Sequence, residues 1–250
     1  MNRFFGTRVV KGESEDSAPR NGTTAIPACI SSLRTAATFG VACLLLAQTL
    51  QAQFAYVSNG GGSNNVSAYR VGENGALAPV PGSPFAVGNL PSSVAVDPTG
   101  RFAYVVNEAG NNISAFAIDK NGALAPIPGS PFPTGTDPHE VAVDASGNFA
   151  YVANAVDNSL SGYRIGGSGG LTAIPGSPFP EGGFPRAVAI DPTGKFVYVA
   201  NQVTNNVSAY RIGEDGALLP IAGSPFAAGI GPFSVVVDPM ARFIYVVNEG

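Results

Sequence analysis

Beyond about residue 53, apolar and polar positions alternate in short runs separated by Gly, Pro, Asn and Asp, the period-two signature of β-strands joined by tight turns. One run recurs. It reads FAYVSN at 54–59, FAYVVN at 102–107, FAYVAN at 149–154, FVYVAN at 196–201 and FIYVVN at 243–248, at separations of 48, 47, 47 and 47 residues. A fixed period of that length predicts tandem structural units in place of one irregular domain.

The second copy shows what a unit contains. An apolar, β-branched run (SVAVD, 93–97) leads through the turn Asp97-Pro98-Thr99-Gly100 into the recurring phrase. Asp, Pro and Gly at those places suit a type I turn, because Pro presets φ and the Asp side chain accepts from the backbone. A third alternating run follows at 112–118, then an Asn121-Gly122 hairpin pair, then the proline-rich run ALAPIPGSPF at 123–132, whose missing N–H donors assign it to a sheet edge. With no helical period in this region, the expectation is an all-β fold, a β-propeller of four-stranded antiparallel blades. The chain starts and stops at the second strand of a unit, giving four first, five second, four third and four fourth strands. That count predicts about four to five blades, a truncated part of a larger ring with open edges available for self-association or a protein partner.

Residues 1–52 share nothing with the repeats. An uncharged apolar run at 35–50 follows Arg34, too short for a typical membrane span but of the length of a secretory signal core. Cleavage after Ala52 would release a chain that opens on the first repeat, which predicts an extracellular or periplasmic product without an integral membrane span. A buried helix and an uncleaved anchor are the alternatives, and the polar stretch ahead of the run is longer than such signals carry.

Gly and Pro number 32 and 21, and charged residues make up only 12%, as turns and short strands require. From Gln53 onward eight Lys or Arg face fourteen Asp or Glu, a balance of −6 with no basic run, which argues against nucleic acid as a partner. Cys29 and Cys43 both precede the repeats, so the repeat region has no thiolate chemistry. With a single histidine there, and no phosphate-binding or zinc-protease motif, neither cofactor nor metal is expected. The aspartates Asp97, Asp144, Asp191 and Asp238 occupy the turn slot and read as structural.

The phrases YVAN and YVVN, the DPTGR or DPTGK turn before them, NNVSAY after them and the closing PIPGSPF resemble the YVTN-type and lactonase-type β-propeller repeats, the family that includes 6-phosphogluconolactonases. The resemblance covers residues 54–250. It implies a seven-bladed ring, a small-molecule lactone or carbohydrate ligand, and a site near the central cleft.

Topology alone points to the same place. Residues just before each first strand and just after each second strand must share one rim, because the two strands are antiparallel. There the copies differ: Ser92, His139, Arg186 and Phe233 in one set; Gly60, Glu108, Ala155, Gln202 and Glu249 in the other. A constant scaffold with a variable rim has the pattern of a binding surface. His139, between Asp137 and Glu140, has the chemistry of a general acid or base, or is a solvated loop histidine. Arg186 either clamps an anionic oxygen or bonds loop carbonyls. Glu108 and Glu249 are candidate bases or sugar-hydroxyl acceptors, or solvated carboxylates. In the resembled family PH and PR pairs precede first strands and NE follows a YVVN strand, which here map onto Pro138-His139, Pro185-Arg186, Asn107-Glu108 and Asn248-Glu249. The set departs from the family in that Arg186 shares its repeat with Gln202. Two functions are therefore carried forward: a lactone hydrolase with His139 and Arg186 as catalytic residues, and a non-catalytic propeller that binds a glycan, peptide or protein.

Overall fold

A computed structural model of the protein describes residues 53–250, and every regular element among them is a β-strand. The signal-like segment at 35–50 lies outside the described residues. Among the described residues no helix is long and apolar enough to cross a membrane.

Each complete unit builds one antiparallel sheet. In the second, the inner strand Pro91–Val96 pairs with Phe102–Asn107, which pairs with Asn112–Ile118, which pairs with Leu124–Pro126. Sheets starting at Pro138 and Pro185 repeat this order. Among the described residues the sheet starting at Gln53 has no inner strand, and the last sheet holds Pro232–Val237 and Ile244–Asn248. These sheets are the blades of a partial propeller.

Alternation explains how the blades stack. Along Phe102–Asn107 all six residues are buried, with successive side chains on opposite faces. Phe102, Tyr104 and Val106 pack on Val141, Val152 and Tyr163 of the following blade, while Ala103 and Val105 pack on Tyr56, Val66 and Ala68 of the preceding one. The next interface repeats the plan with Phe149, Tyr151, Ala153, Val188 and Val199. The core is thus a series of apolar layers between sheets.

The recurring phrase also clasps the neighbouring blade. Tyr56, Tyr104 and Tyr151 donate their hydroxyls to the carbonyls of Gly122, Gly169 and Gly216 at 2.9, 3.0 and 2.7 Å. Those glycines adopt positive φ, and a Cβ on Gly169 or Gly216 would lie 2.5 Å from the ring of Phe102 or Phe149. Phe-x-Tyr and the glycine one blade later therefore fit as one part. Burial, with Asp119 adding to it, pushes the Tyr56 phenol up to about 12. The phrase's final Asn is equally engaged: the Asn107 amide donates to Asn112 Oδ1 at 2.7 Å and Ser114 Oγ at 2.9 Å.

The turn aspartates are structural. Asp97 Oδ1 accepts from the amides of Arg101 and Phe102, both at 2.6 Å, and Oδ2 accepts from the Thr99 hydroxyl. At Asp191 burial raises the carboxyl's proton affinity, but the Thr193 hydroxyl and three backbone amides outweigh it and hold the group below its ordinary value.

The outer strand departs from expectation. In place of one run at 123–132 there are two short pieces, Leu124–Pro126 and Phe132–Pro133, both paired with Asn112–Ile118. Prolines cannot sustain the ladder, so the chain loops out through a cis Ser130–Pro131 bond, and the Ser130 hydroxyl accepts from the Ala115 amide at 2.9 Å in the gap. Ser83, Ser177 and Ser224 do the same in their blades.

Candidate functional site

Inner-strand entries and second-strand exits do meet on one rim, and a repeated bond fixes the meeting. Glu108, Ala155, Gln202 and Glu249 donate their amides to the carbonyls of Leu90, Asp137, Phe184 and Gly231 at 2.9–3.0 Å. These acceptors all have positive φ, from 54° at Leu90 to 65° at Gly231. Only Gly adopts that region at little steric cost, so the other three need support. An Asn of the preceding blade gives it: Asn64, Asn111, Asn158 and Asn205 each accept, through Oδ1, the amide of Leu90, Asp137, Phe184 and Gly231 at 2.9, 3.0, 2.7 and 2.8 Å. The backbone of the rim is invariant while its side chains change.

Two residues later stand Ser92, His139, Arg186 and Phe233, of which the first three each reach the next blade. The Ser92 hydroxyl donates to the His139 carbonyl at 2.9 Å. His139 Nε2 lies 3.5 Å from Arg186 Nη1, and the Arg186 guanidinium stacks 4.6 Å over the Phe233 ring. A planar cation on an aromatic face is a favourable contact that also orients the guanidinium.

The imidazole has two carboxylates beside it. Asp137 Oδ2 is 3.3 Å from Nε2 and Glu108 Oε2 is 3.8 Å from Nδ1, with the Phe184 ring centroid 5.9 Å away. Its side chain is 9% exposed. Burial disfavours the imidazolium, the Arg186 charge disfavours it further, and Asp137 restores only part, so His139 titrates below its ordinary value. The surroundings of the ring therefore favour the neutral imidazole over the imidazolium.

The structure thus gathers Glu108, His139 and Arg186 from three successive blades. Glu249 is placed elsewhere: its Oε2 accepts from Gln202 Nε2 at 2.7 Å. Glu140, expected beside His139, is turned to the adjoining blade, where Oε2 accepts the Val188 amide at 3.1 Å. Glu108, Asp137 and His139 also bring three donor atoms within 4.8 Å of one another, a set suited to a divalent ion. The guanidinium at 3.5 Å from the imidazole already supplies positive charge there, which works against a second cation.

Comparison with known proteins places this rim in context. The family described as lactonase, seven-bladed β-propeller, matches residues 61–227, about two thirds of the 250-residue chain. The chain belongs to that family. Among solved structures it is similar to the periplasmic gluconolactonase of Pseudomonas aeruginosa, at 18% identity and TM-score 0.66 over 80% of this chain and 60% of that one. It is also similar to a Bacteroides fragilis protein proposed to be a 6-phosphogluconolactonase (17%, TM-score 0.67, 79% and 60%) and to a functionally unknown protein from Desulfotomaculum acetoxidans (18%, TM-score 0.67, 78% and 59%). At these identities the likeness is one of fold. The chain spans about three fifths of the length of these structures. Among curated proteins no sequence matches it.

Two features escaped sequence reasoning. The position ahead of each rim proline (Leu90, Asp137, Phe184, Gly231) varies as much as the position after it, and that variation beside a constant proline was the available signal. The other is Glu181, which takes the place of Thr134 one repeat later. Thr134 donates its hydroxyl to Asn154 Oδ1 at 2.8 Å. Neither enclosed Glu181 oxygen reaches hydrogen-bond geometry, and Asn201 Oδ1 also lacks a donor. Burial is the dominant influence and pushes the Glu181 carboxyl up. The polar groups of Tyr210, Ser208 and Asn201 lie near it without completing hydrogen bonds and offset only part of that.

Proposed function

We propose that this chain forms part of an exported lactonase-type hydrolase acting on a sugar-type or other lactone at the rim where Glu108, His139 and Arg186 converge. That convergence carries the reading: a neutral imidazole, an oriented guanidinium and a carboxylate meet within hydrogen-bonding or near-contact distance. With Nε2–H donated to Asp137, the Nδ1 lone pair accepts a proton from water as that water attacks the lactone carbonyl. Glu108, on the Nδ1 side, accepts the water's other hydrogen. Arg186 stabilises the oxyanion of the tetrahedral intermediate, and the imidazolium returns its proton to the leaving ring oxygen. Export is supported by the apolar run at 35–50 and by the periplasmic location in the name of the Pseudomonas aeruginosa relative.

The test is hydrolysis of D-glucono-1,5-lactone and simple γ- and δ-lactones by the full chain. Turnover above the spontaneous rate, falling about 10²- to 10⁴-fold in His139→Asn, is the expected result. Because the imidazole must be neutral, kcat/KM falls as pH drops through its depressed pKa. Turnover unchanged in His139→Asn overturns the assignment.

A second reading is favoured by one observation. Glu249 is bonded to Gln202, so the family's Arg-and-Glu pairing within one repeat is not reproduced. On that reading the rim binds a glycan, peptide or protein without chemistry, and the lactone assays return no turnover while ligand binding persists and weakens in Arg186→Ala.

A further inference from the structure

Beside the His139 cluster, on the same rim, the loops between two blades enclose an open groove of about 420 Å³ lined by Ala155, Val156, Asn158, Gly183, Phe184 and Val203. Its walls are apolar. Val156 and Val203 are 55% and 68% exposed, a large solvent-facing aliphatic area for two loop residues. Both follow a recurring phrase at places where the second copy has Ala109 and the first Gly61.

Phe184 connects the groove to the chemistry. It lines the groove and places its ring 5.9 Å from the His139 imidazole. Its backbone is held at φ 63°, costly for an aromatic residue, by the Asn158 side chain, which lines the same groove. Ala155 donates its amide to the carbonyl of Asp137, the residue that touches His139 Nε2. The groove and the imidazole are thus tied through both backbone and ring.

Charge narrows the choice of molecule. Among the described residues of this rim the carboxylates Glu108 and Asp137 stand against His139 and Glu249 against Gln202, while the guanidinium of Arg186 is engaged with His139 and Phe233. A phosphorylated sugar lactone would bring roughly two further negative charges to that surface. A neutral lactone with an alkyl or aryl substituent would bring none, and would cover the exposed valines.

We infer that the groove is the specificity subsite of the proposed lactonase, taking the apolar substituent of a neutral lactone whose ring lies at His139. The inference rests on the proposed function for the ring's placement, and on the groove alone for the substituent.

The test compares γ-butyrolactone, γ-hexalactone, γ-octalactone, γ-decalactone and D-glucono-1,5-lactone, each measured for turnover and for binding by calorimetry, with the full chain and with Val156→Asp and Val203→Asp. Both substitutions lie in exposed loops and leave the blades intact. The expected result is a rise of about two- to threefold in kcat/KM or affinity per added methylene, below the roughly fourfold of complete burial because the groove is open. Either variant flattens that rise and leaves γ-butyrolactone unchanged. Turnover without chain-length dependence, or with the same dependence in both variants, overturns the subsite and leaves the hydrolase standing. Absence of turnover with chain-length-dependent binding that the variants abolish overturns the hydrolase and keeps the subsite. Absence of both overturns both.

Discussion

The clasp between blades and the rim around His139 are built by the same repeats under opposite rules. In the clasp every copy carries the same residues: Phe102 and Tyr104 close on Gly169 as Phe149 and Tyr151 close on Gly216. On the rim the backbone repeats and the side chains do not, so Asp137-Pro138-His139 is followed one blade later by Phe184-Pro185-Arg186. Interior contacts that interlock tolerate little change, because any added or lost volume is felt by the adjoining blade. Side chains held out on a fixed backbone can vary without touching the core. That separation lets near-identical units produce one asymmetric cluster.

Breaking the clasp has the largest expected effect. Gly169→Val adds a Cβ within 2.5 Å of the Phe102 ring at φ 84°, and the sum of backbone strain and overpacking is a loss of about 2–4 kcal/mol, read as a lower urea midpoint. The equivalent change at Gly61, which meets nothing within 4 Å, leaves the midpoint within about 0.5 kcal/mol. Equal effects at the two glycines would remove the distinction between clasp and loop.

Glu181 sharpens the comparison, since it places a rim-like variation inside a blade. Its raised pKa means the folded state holds the proton more tightly than the unfolded chain does. The stabilising contribution is therefore full at pH below the ordinary carboxyl value and fades as pH rises through the raised one. Glu181→Thr copies the arrangement at Thr134, donating to Asn201 Oδ1, and raises stability at pH 7 by about 1 kcal/mol while removing that pH dependence. A variant less stable than the parent at pH 7 would show that the carboxyl is well accommodated.

The smallest effect concerns the turn that lost its glycine. Ala241 adopts φ 54° where Gly100, Gly147 and Gly194 adopt 69–71°. Ala241→Gly relieves that strain and stabilises by about 0.5–1 kcal/mol in thermal unfolding. A loss of stability would mean the lost chain entropy outweighs the strain.

Much of this architecture was legible in the residues. Period-two runs between DPTG and NG turns dictate antiparallel sheets, and antiparallel order alone puts Glu108, His139 and Arg186 on one rim. What was not legible depends on which way single side chains turn. Glu140 and His139 are adjacent in sequence and both reach the next blade, yet one meets the Val188 amide and the other Arg186, because a register shift between Pro138 and Glu140 interrupts the alternation of faces. Glu249 looked equivalent to Glu108 after the same Asn, but Gln202 one blade back takes its carboxylate. The broken outer strand required knowing that Ser130 would supply the ladder contact its prolines cannot.

His139 is the only histidine in the chain, so its imidazole can be titrated by NMR without ambiguity. With Arg186 and Asp137 acting on one ring in a buried setting, it should titrate below 6.5, move upward in Arg186→Gln and move further down in Asp137→Asn. The fold then loses stability as pH falls below about 6.5, the unfolded value, and the loss continues until the folded pKa is passed. A midpoint at the ordinary value, unmoved by either substitution, would show that the three blades do not bring their side chains together at the rim.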